Sequence, residues 1–519
     1  MMAKPFYVTT PLYYVNAAPH IGHSYTQVAV DCLARYHRLL GDDVFFLTGT
    51  DEHGEKIAQA AAAKGIDVKA FVDEASGVFR RLWQTLGIEG SYTRFIRTTD
   101  ADHEAAVREA LTRLKPQLVL DTYRFWYCVP CETSFGLAEI DAGHPACLNC
   151  RRPVSQVEEE DYFLRLEAHR AWLRAYILEH DGFILPLERR NEVLALLDQP
   201  LPDLCLTRPK DRVPWGIEVP FSPAHVTYVW FDALMNYISA LGWPDDARVG
   251  RWWGAGATHL IGKDILRHHA LYWPIILRAL GVAPPRRIFA HGWWKIGEQK
   301  MSKSLGNIVD PVVVIAQLLK GQPHAADIYR YFLLRDVPFG QDGNFSEDTV
   351  LTRLHADLGN DLGNLVNRTC SMIERYLGGA LPSPAPITCA VEDTPLREAA
   401  RMLPGAVEAA MASLTFSIAL DGIMQVVSQA NRYIEEVAPW KLAKQPGSAP
   451  RLRGVLMTLA EVLRITAILL DPFMPSVADA IWQQLGCGAA PRRWQDAAAW
   501  PGLSPGQRLG PHPILFPRE

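Results

Sequence analysis

Between Pro5 and Gly54 the hydrophobic period changes twice, and that alternation leaves few folds open to the chain. PFYVTTPLYYV begins as a β-rich run, with Phe6, Tyr7 and Val8 leading into Thr9, Thr10 and Pro11. A loop, NAAPHIGH, follows. TQVAVDCLARYHRLLG then reads as a helix: Val28, Ala29, Cys32, Leu33, Tyr36 and Leu40 recur at helical spacing, and Gly41 stops it. DVFFLTGTDEHG is a second buried strand running into a loop. Strand, helix, strand in this order predicts a parallel sheet wound by crossover helices. Ligands of such sheets bind at the carboxyl ends of the strands. The loops HIGH and GTDEHG therefore become the first candidates for a site.

The alternation breaks and resumes. The chain has 519 residues, enough for three to four domains. Residues 1–115 form the first half of the sheet domain. From 116 the pattern shifts to strands ending at a cysteine knuckle, and a mixed segment runs on to 225. Residues 226–292, containing HVTYVWFDALMNYISAL, THLIGKDILRHHALYWPIIL and RRIFAHGWW, restore strand and helix alternation. One sheet interrupted by an insertion is the simplest account. Residues 293–345 hold the loop EQKMSKSLGN, Glu298 to Asn307. From 346 to 519 apolar stripes at helical spacing predict a helical bundle, with a Gly- and Pro-rich tail after Gly486. The fold class expected is α/β: a Rossmann-type parallel sheet carrying an inserted zinc-knuckle domain, followed by an all-α bundle.

Charge narrows the partners. Lys plus Arg total 52 and Asp plus Glu 57, so any nucleic-acid contact must be local and shape-dependent, not a whole-protein basic field. The N-terminus lacks a signal-peptide apolar region, and no run of 18 apolar residues is free of charge. The expectation is a cytoplasmic protein with no membrane span. Nine cysteines in this length are not a disulfide scaffold. Cys128, Cys131, Cys147 and Cys150 give C-x2-C-x15-C-x2-C, a spacing that closes a thiolate tetrahedron around one structural Zn²⁺. Cys32, Cys205, Cys370, Cys389 and Cys487 are scattered and read as core or incidental.

Each loop has a plain reading and a chemical one. His20 and His23 are either ordinary loop histidines or donors to an anion at a helix N-terminus, with Gly22 permitting close approach. Asp51 is either a helix cap or the seat of an ammonium. Trp230 and Tyr237, seven apart, read as core aromatics on a helical stripe. Asn364 and Arg368 project from one helix face, which is solvated or reads base edges. Trp440 anchors the bundle end or stacks a base. Lys300 and Lys303 with Ser302 make a solvated turn or a clamp on phosphate.

HIGH near the start and KMSKS after the interrupted sheet together resemble the class I aminoacyl-tRNA synthetase signatures. TPLYYVNAAPHIGH, FFLTGTDEHG, VTYVWFDALMNY, HLIGKDILRHHALYWP and KMSKSLGN resemble the methionyl-tRNA synthetase family, and DLGNLVNR and EVAPWKL resemble its anticodon-binding bundle. The resemblance covers essentially the whole chain. It implies ATP-dependent activation of L-methionine to the adenylate with release of pyrophosphate. Transfer to the terminal ribose of tRNA(Met), initiator and elongator, follows. It further implies His20, Gly22, His23, Gly262, Asp264, Lys300, Ser302 and Lys303 at ATP. His20, His23, Lys300 and Lys303 carry the chemistry, and Mg²⁺ enters with the nucleotide. The methionine pocket implied is Pro11, Leu12, Tyr14, Asp51, Trp230, Ala233, Tyr237, Ile265 and His269. Asn364, Arg368 and Trp440 are the implied anticodon readers. Related enzymes for leucine, isoleucine and valine carry a large editing insertion, for which the knuckle segment leaves little room. A cysteine-specific enzyme uses an open zinc site. A non-catalytic tRNA-binding paralogue is expected to have eroded signatures, and both are intact here. The chain ends near the bundle, at ILFPRE, with no appended dimerisation domain, and a monomer is expected.

Overall fold

A computed structural model describes residues 3–129, 133–137, 139–148, 150–297, 299–300, 308–382 and 390–518, with the side chains of 133, 134, 299 and 300 set aside. The central sheet runs in the order Tyr13–Tyr14, Asp43–Asp51, Pro5–Thr9, Ala257–Gly262, Arg287–His291, Ile184–Leu185, with Arg94–Arg97 also paired to Asp43–Asp51. All of these pairings are parallel. The strands are buried on both faces, which is why they read as apolar runs: Tyr7, Val8, Phe46, Leu47, Leu260 and Ile261 are all inaccessible. Pro5–Thr9 is the middle of the sheet. The chain goes from it to Asp43–Asp51 on one side, and Ala257–Gly262 lies on the other. The winding direction reverses there, so the crevice opens above Thr9 and Gly262.

The expected first helix is present as Ile21–Leu39, and Gly41 beyond its end adopts the left-handed φ of +87° that favours glycine. The span read as one insertion, 116–225, is not continuous. Leu118–Cys128, Thr133–Phe135, Ser155–Leu164 and Leu204–Cys205 build a separate antiparallel sheet. Between its last two strands, however, Ile184–Leu185 returns to pair with Ile288 and Phe289 at the edge of the central sheet. The helices Glu167–Glu179 and Leu187–Leu197 flank that return. A two-residue strand carries no readable period, so sequence alone merges it into the insertion.

The C-terminal part is helical as expected. Its long elements are Asn364–Leu377, Thr394–Ala412, Phe416–Val437, Ala449–Leu470 and Pro475–Gln484. One apolar core runs from the Ile21–Leu39 face of the sheet into this bundle; a second fills the opposite face of the sheet. Arg330, fully buried on helix Ala325–Arg335, ties the first helix to the bundle. Its guanidinium pairs with Asp31 of the first helix at 2.7 Å and donates to the carbonyls of Phe473 (2.9 Å) and Pro472 (3.0 Å). Tyr329 OH, on the preceding residue, meets Ser24 Oγ at 2.7 Å about two turns before Asp31. Among the described residues no helix is long and apolar enough to cross a membrane.

Candidate active site, metal knuckle and bundle face

A cavity of about 440 Å³ lies at the reversal point. Its walls include every described residue assigned above to methionine: Pro11, Leu12, Tyr14, Asp51, Trp230, Ala233, Tyr237, Ile265 and His269. They also include His20, Gly22, His23, Gly262 and Asp264. Lys300 belongs to the short strand Gln299–Lys300, antiparallel to Trp294–Ile296, and its side chain is not described. Ser302 and Lys303 lie outside the described residues. Sequence reasoning missed Lys56, Thr26, His291 and Trp293, which also line the cavity. Trp293 was findable: GWW follows a strand end, where this architecture presents ligands.

Backbone bonds fix the histidine tautomers at the helix start. His20 caps the helix, and its Nδ1 accepts from the Gly22 N–H at 3.1 Å. His23 Nδ1 accepts from the His20 N–H at 3.1 Å. Both neutral rings therefore carry their proton on Nε2. They stack with centroids 3.9 Å apart. Two N–H donors at a helix N-terminus form a site for a phosphate oxygen.

The aromatic end is built by a chain of bonds. His269 Nδ1 donates to the Ile265 carbonyl at 2.9 Å, so Nε2 accepts from Tyr237 OH at 2.7 Å. Tyr7 OH donates to the Tyr237 carbonyl at 2.7 Å. Trp230 stacks on His268 with centroids 3.7 Å apart. Burial lowers His269 to about 4 and His268 to about 3, and pushes His259 and His291 down as well. These imidazoles are neutral at pH 7. Asp232 fixes the helix bearing Trp230 and Tyr237 against the GTDEHG loop. It accepts from His53 at 2.8 Å and His103 at 2.7 Å, and although burial opposes its ionisation the two rings hold its pKa below the usual value.

In the knuckle, Cys128, Cys147 and Cys150 bring their sulfurs within 4.8 Å of one another, with Cys128 and Cys150 3.6 Å apart. Zn–S bonds of about 2.3 Å at tetrahedral angles place sulfurs about 3.8 Å apart, so this set fits zinc. Cys131 lies outside the described residues. The knuckle's own core is Cys128, Phe135, Ile140, Cys147 and Val154. A core that small needs a metal to hold it.

On the bundle, Asn364, Arg368 and Trp440 come together. Asn364 Nδ2 donates to Asn431 Oδ1 at 3.3 Å. Arg368 pairs with the exposed Glu435 at 2.7 Å, and its guanidinium carbon is 5.7 Å from the Trp440 ring centre.

The family described as tRNA synthetases class I (M) matches residues 6–370, and the anticodon-binding domain of tRNA ligases matches residues 403–505. A methionine–tRNA ligase of Caldanaerobacter subterraneus subsp. tengcongensis is 46% identical over 521 residues, covering 100% of this chain and 79% of that protein. The Mycobacterium tuberculosis (strain CDC 1551 / Oshkosh) methionine–tRNA ligase is 43% identical over 522 residues, covering 99% and 98%. The crystal structure of the M. tuberculosis methionyl-tRNA synthetase bound by methionyl-adenylate superposes with a TM-score of 0.92 at 43% identity, covering 99% of this chain and 100% of that one. Its free-state form superposes with a TM-score of 0.86 at 40% identity, covering 100% and 98%.

Proposed function

The chain belongs to the methionyl-tRNA synthetases, class I aminoacyl-tRNA ligases, and from that premise we propose how its own residues divide the work. The enzyme activates L-methionine with ATP to methionyl adenylate, releases pyrophosphate, and transfers methionine to the 3′-terminal ribose of tRNA. The first step is an in-line attack of a carboxylate on the α-phosphate. It needs positioning and charge stabilisation more than proton transfer.

In our reading, Asp51 takes the methionine ammonium. Trp230, Tyr237 and His269, with Pro11, Leu12, Tyr14, Ala233 and Ile265, enclose the side chain. Sulfur–aromatic contacts of about 0.3–1.5 kcal/mol suit such walls. His20 and His23 donate Nε2–H to phosphate oxygens, and Gly22 leaves room for the approach. Gly262 and Asp264 hold the adenosine. Lys300 and Lys303, with Ser302, close over the pyrophosphate. Mg²⁺ accompanies ATP and supplies counter-charge on its phosphates. Zn²⁺ in the Cys128, Cys131, Cys147, Cys150 knuckle is structural. Asn364, Arg368 and Trp440 read the anticodon of initiator and elongator tRNA(Met), and the protein works in the cytoplasm as a monomer. The domain bounds that go with this assignment are 1–115, 116–225, 226–292, 293–345 and 346–519, with 184–185 belonging to the central sheet.

The observation that carries this reading is the convergence of both candidate sets on one cavity at the point where the sheet's winding reverses. Amino-acid-dependent ATP–pyrophosphate exchange tests it. Exchange with methionine should far exceed that with leucine, isoleucine or cysteine, and Asp51→Asn should raise the KM for methionine while leaving that for ATP nearly unchanged. An unchanged methionine KM would remove Asp51 from the ammonium site.

A further inference from the structure

The loop carrying Gly262 and Asp264 and the strand feeding the Gln299–Lys300 hairpin are distant in sequence, yet one carboxylate ties them. Asp342 Oδ1 accepts from Lys263 Nζ at 2.7 Å and from the Trp293 backbone N–H at 2.9 Å. Its Oδ2 pairs with Lys295 Nζ at 2.6 Å. Asp342 stands just ahead of the strand Gly343–Asn344, which runs parallel to Trp294–Ile296. Gly292 permits the approach: a Cβ there would stand 2.1 Å from the Gln341 carbonyl oxygen and 2.6 Å from the Asp342 nitrogen. The tie continues into the cavity. Lys263 Nζ lies 4.2 Å from the centre of the Trp293 ring, and the indole N–H donates to Asp264 Oδ1 at 3.1 Å. Gly292, Trp293 and Asp264 all line the cavity.

We infer that Asp342 is a positioning residue for the nucleotide half of the site: by gathering Lys263, Lys295 and the Trp293 amide it sets the geometry of Asp264 and of the arm that leads to KMSKS. The inference rests on the reading of Asp264 as a nucleotide contact. Two ammonium groups seated on one carboxylate repel each other once the carboxylate is neutralised. Lys263 then leaves its place over Trp293, and the indole no longer orients Asp264. Asp342 and Lys263 are 24% and 18% exposed, and pairs this wet contribute little to overall stability. Their effect is therefore expected in nucleotide kinetics and not in folding.

The test is pyrophosphate exchange with wild type, Asp342→Asn and Asp264→Asn, measuring KM for ATP and for methionine separately. Asp342→Asn should raise the ATP KM about tenfold or more, leave the methionine KM within about twofold and leave the melting temperature nearly unchanged. Asp342→Glu, which keeps the charge, should recover part of the loss. Lys295→Gln, which leaves the Lys263 pair in place, should shift the ATP KM in the same direction by less, and it decides the matter if Asp342→Asn folds poorly. An unchanged ATP KM in Asp342→Asn, or in Lys295→Gln where that variant must stand in, overturns the inference; so does a parallel rise in both KM values with a lowered melting temperature. An Asp264→Asn enzyme with normal ATP KM would instead sink the reading of Asp264, leaving wild-type exchange as the separate check on the activity.

Discussion

The buried imidazoles beside Tyr237 make the catalytic domain sensitive to mild acid, and His269 gives a number. In the unfolded chain its ring titrates near 6.5; in the fold, burial lowers it to about 4. Between those values the unfolded state binds more protons than the native one, so stability rises with pH across that window. The contribution is complete above about pH 6.5 and is lost as pH falls toward 4. Linkage puts the loss at ~1.4 kcal/mol at pH 5.5 relative to pH 8, and at ~3 kcal/mol once both states are protonated. His269→Gln replaces the ring with a group that takes no proton. At pH 8 the variant should be less stable by about 1 kcal/mol for its altered bond to Tyr237. At pH 5.5 the gap should shrink or reverse, because only wild type has lost the His269 contribution. Burial is the largest cause of the lowered pKa of His259, His268 and His291 and acts in both proteins; His269 adds a smaller push on His259 and His268 that the variant loses. The assay is the denaturation midpoint of the catalytic domain, followed by tryptophan fluorescence at the two pH values. A wild-type-to-variant difference that stays constant between them would refute the argument that His269 is held neutral.

Three further outcomes are expected. Arg330→Met removes one of two cations from buried Asp31 and strips the Phe473 and Pro472 carbonyls of their donors; the expected loss is about 3–5 kcal/mol, and a melting midpoint equal to wild type would contradict it. Cys147→Ser should reduce bound zinc from near one per chain to near zero by elemental analysis and unfold the knuckle locally, while an unaltered metal content would count against the thiolate site. Trp440→Ala should raise the KM for tRNA about tenfold, given about 1–3 kcal/mol per stacked base, with pyrophosphate exchange unchanged; a loss confined to exchange would take Trp440 out of tRNA recognition.

Local pattern and long-range pairing were not equally legible in the sequence. The strands at Pro5 and Asp43, the helix at Ile21 and the bundle helices follow from apolar period, because each buries a face its own residues define. The position of Asp51, His20 and His23 on the cavity was legible because they lie at a strand end and at a helix start that follows a strand, and the parallel architecture says where those ends meet. The return of Ile184–Leu185 to the central sheet was not, since two residues define no period and the partners Ile288 and Phe289 lie about a hundred positions away. Arg330 and Asp342 were invisible for the same reason. A buried arginine looks like any helical arginine until Asp31, Phe473 and Pro472 close around it, and an aspartate in QDGNF reads as a turn residue until two lysines arrive.

Charge is also partitioned along the cavity in a way that only the fold reveals. Its described acidic walls are Asp51 and Asp264; its imidazoles are His20, His23, His269 and His291. Burial lowers the pKa of the last two, so they are neutral at pH 7. A charged ring beside Tyr237 would repel the methionine ammonium that we propose Asp51 attracts, and would be poorly solvated there. In the proposed assignment, neutral rings leave Asp51 to orient the amino acid with its ammonium away from the phosphates. On the same proposal the carboxylate faces the His20 and His23 end, where in-line attack requires it. Because the folded His269 titrates near 4 and not near 6.5, methionine affinity should stay flat from pH 8 to pH 6 even while stability begins to fall. Measured methionine KM values that rise steeply as pH drops from 7 to 6 would place a charged imidazole in the pocket and undo this arrangement.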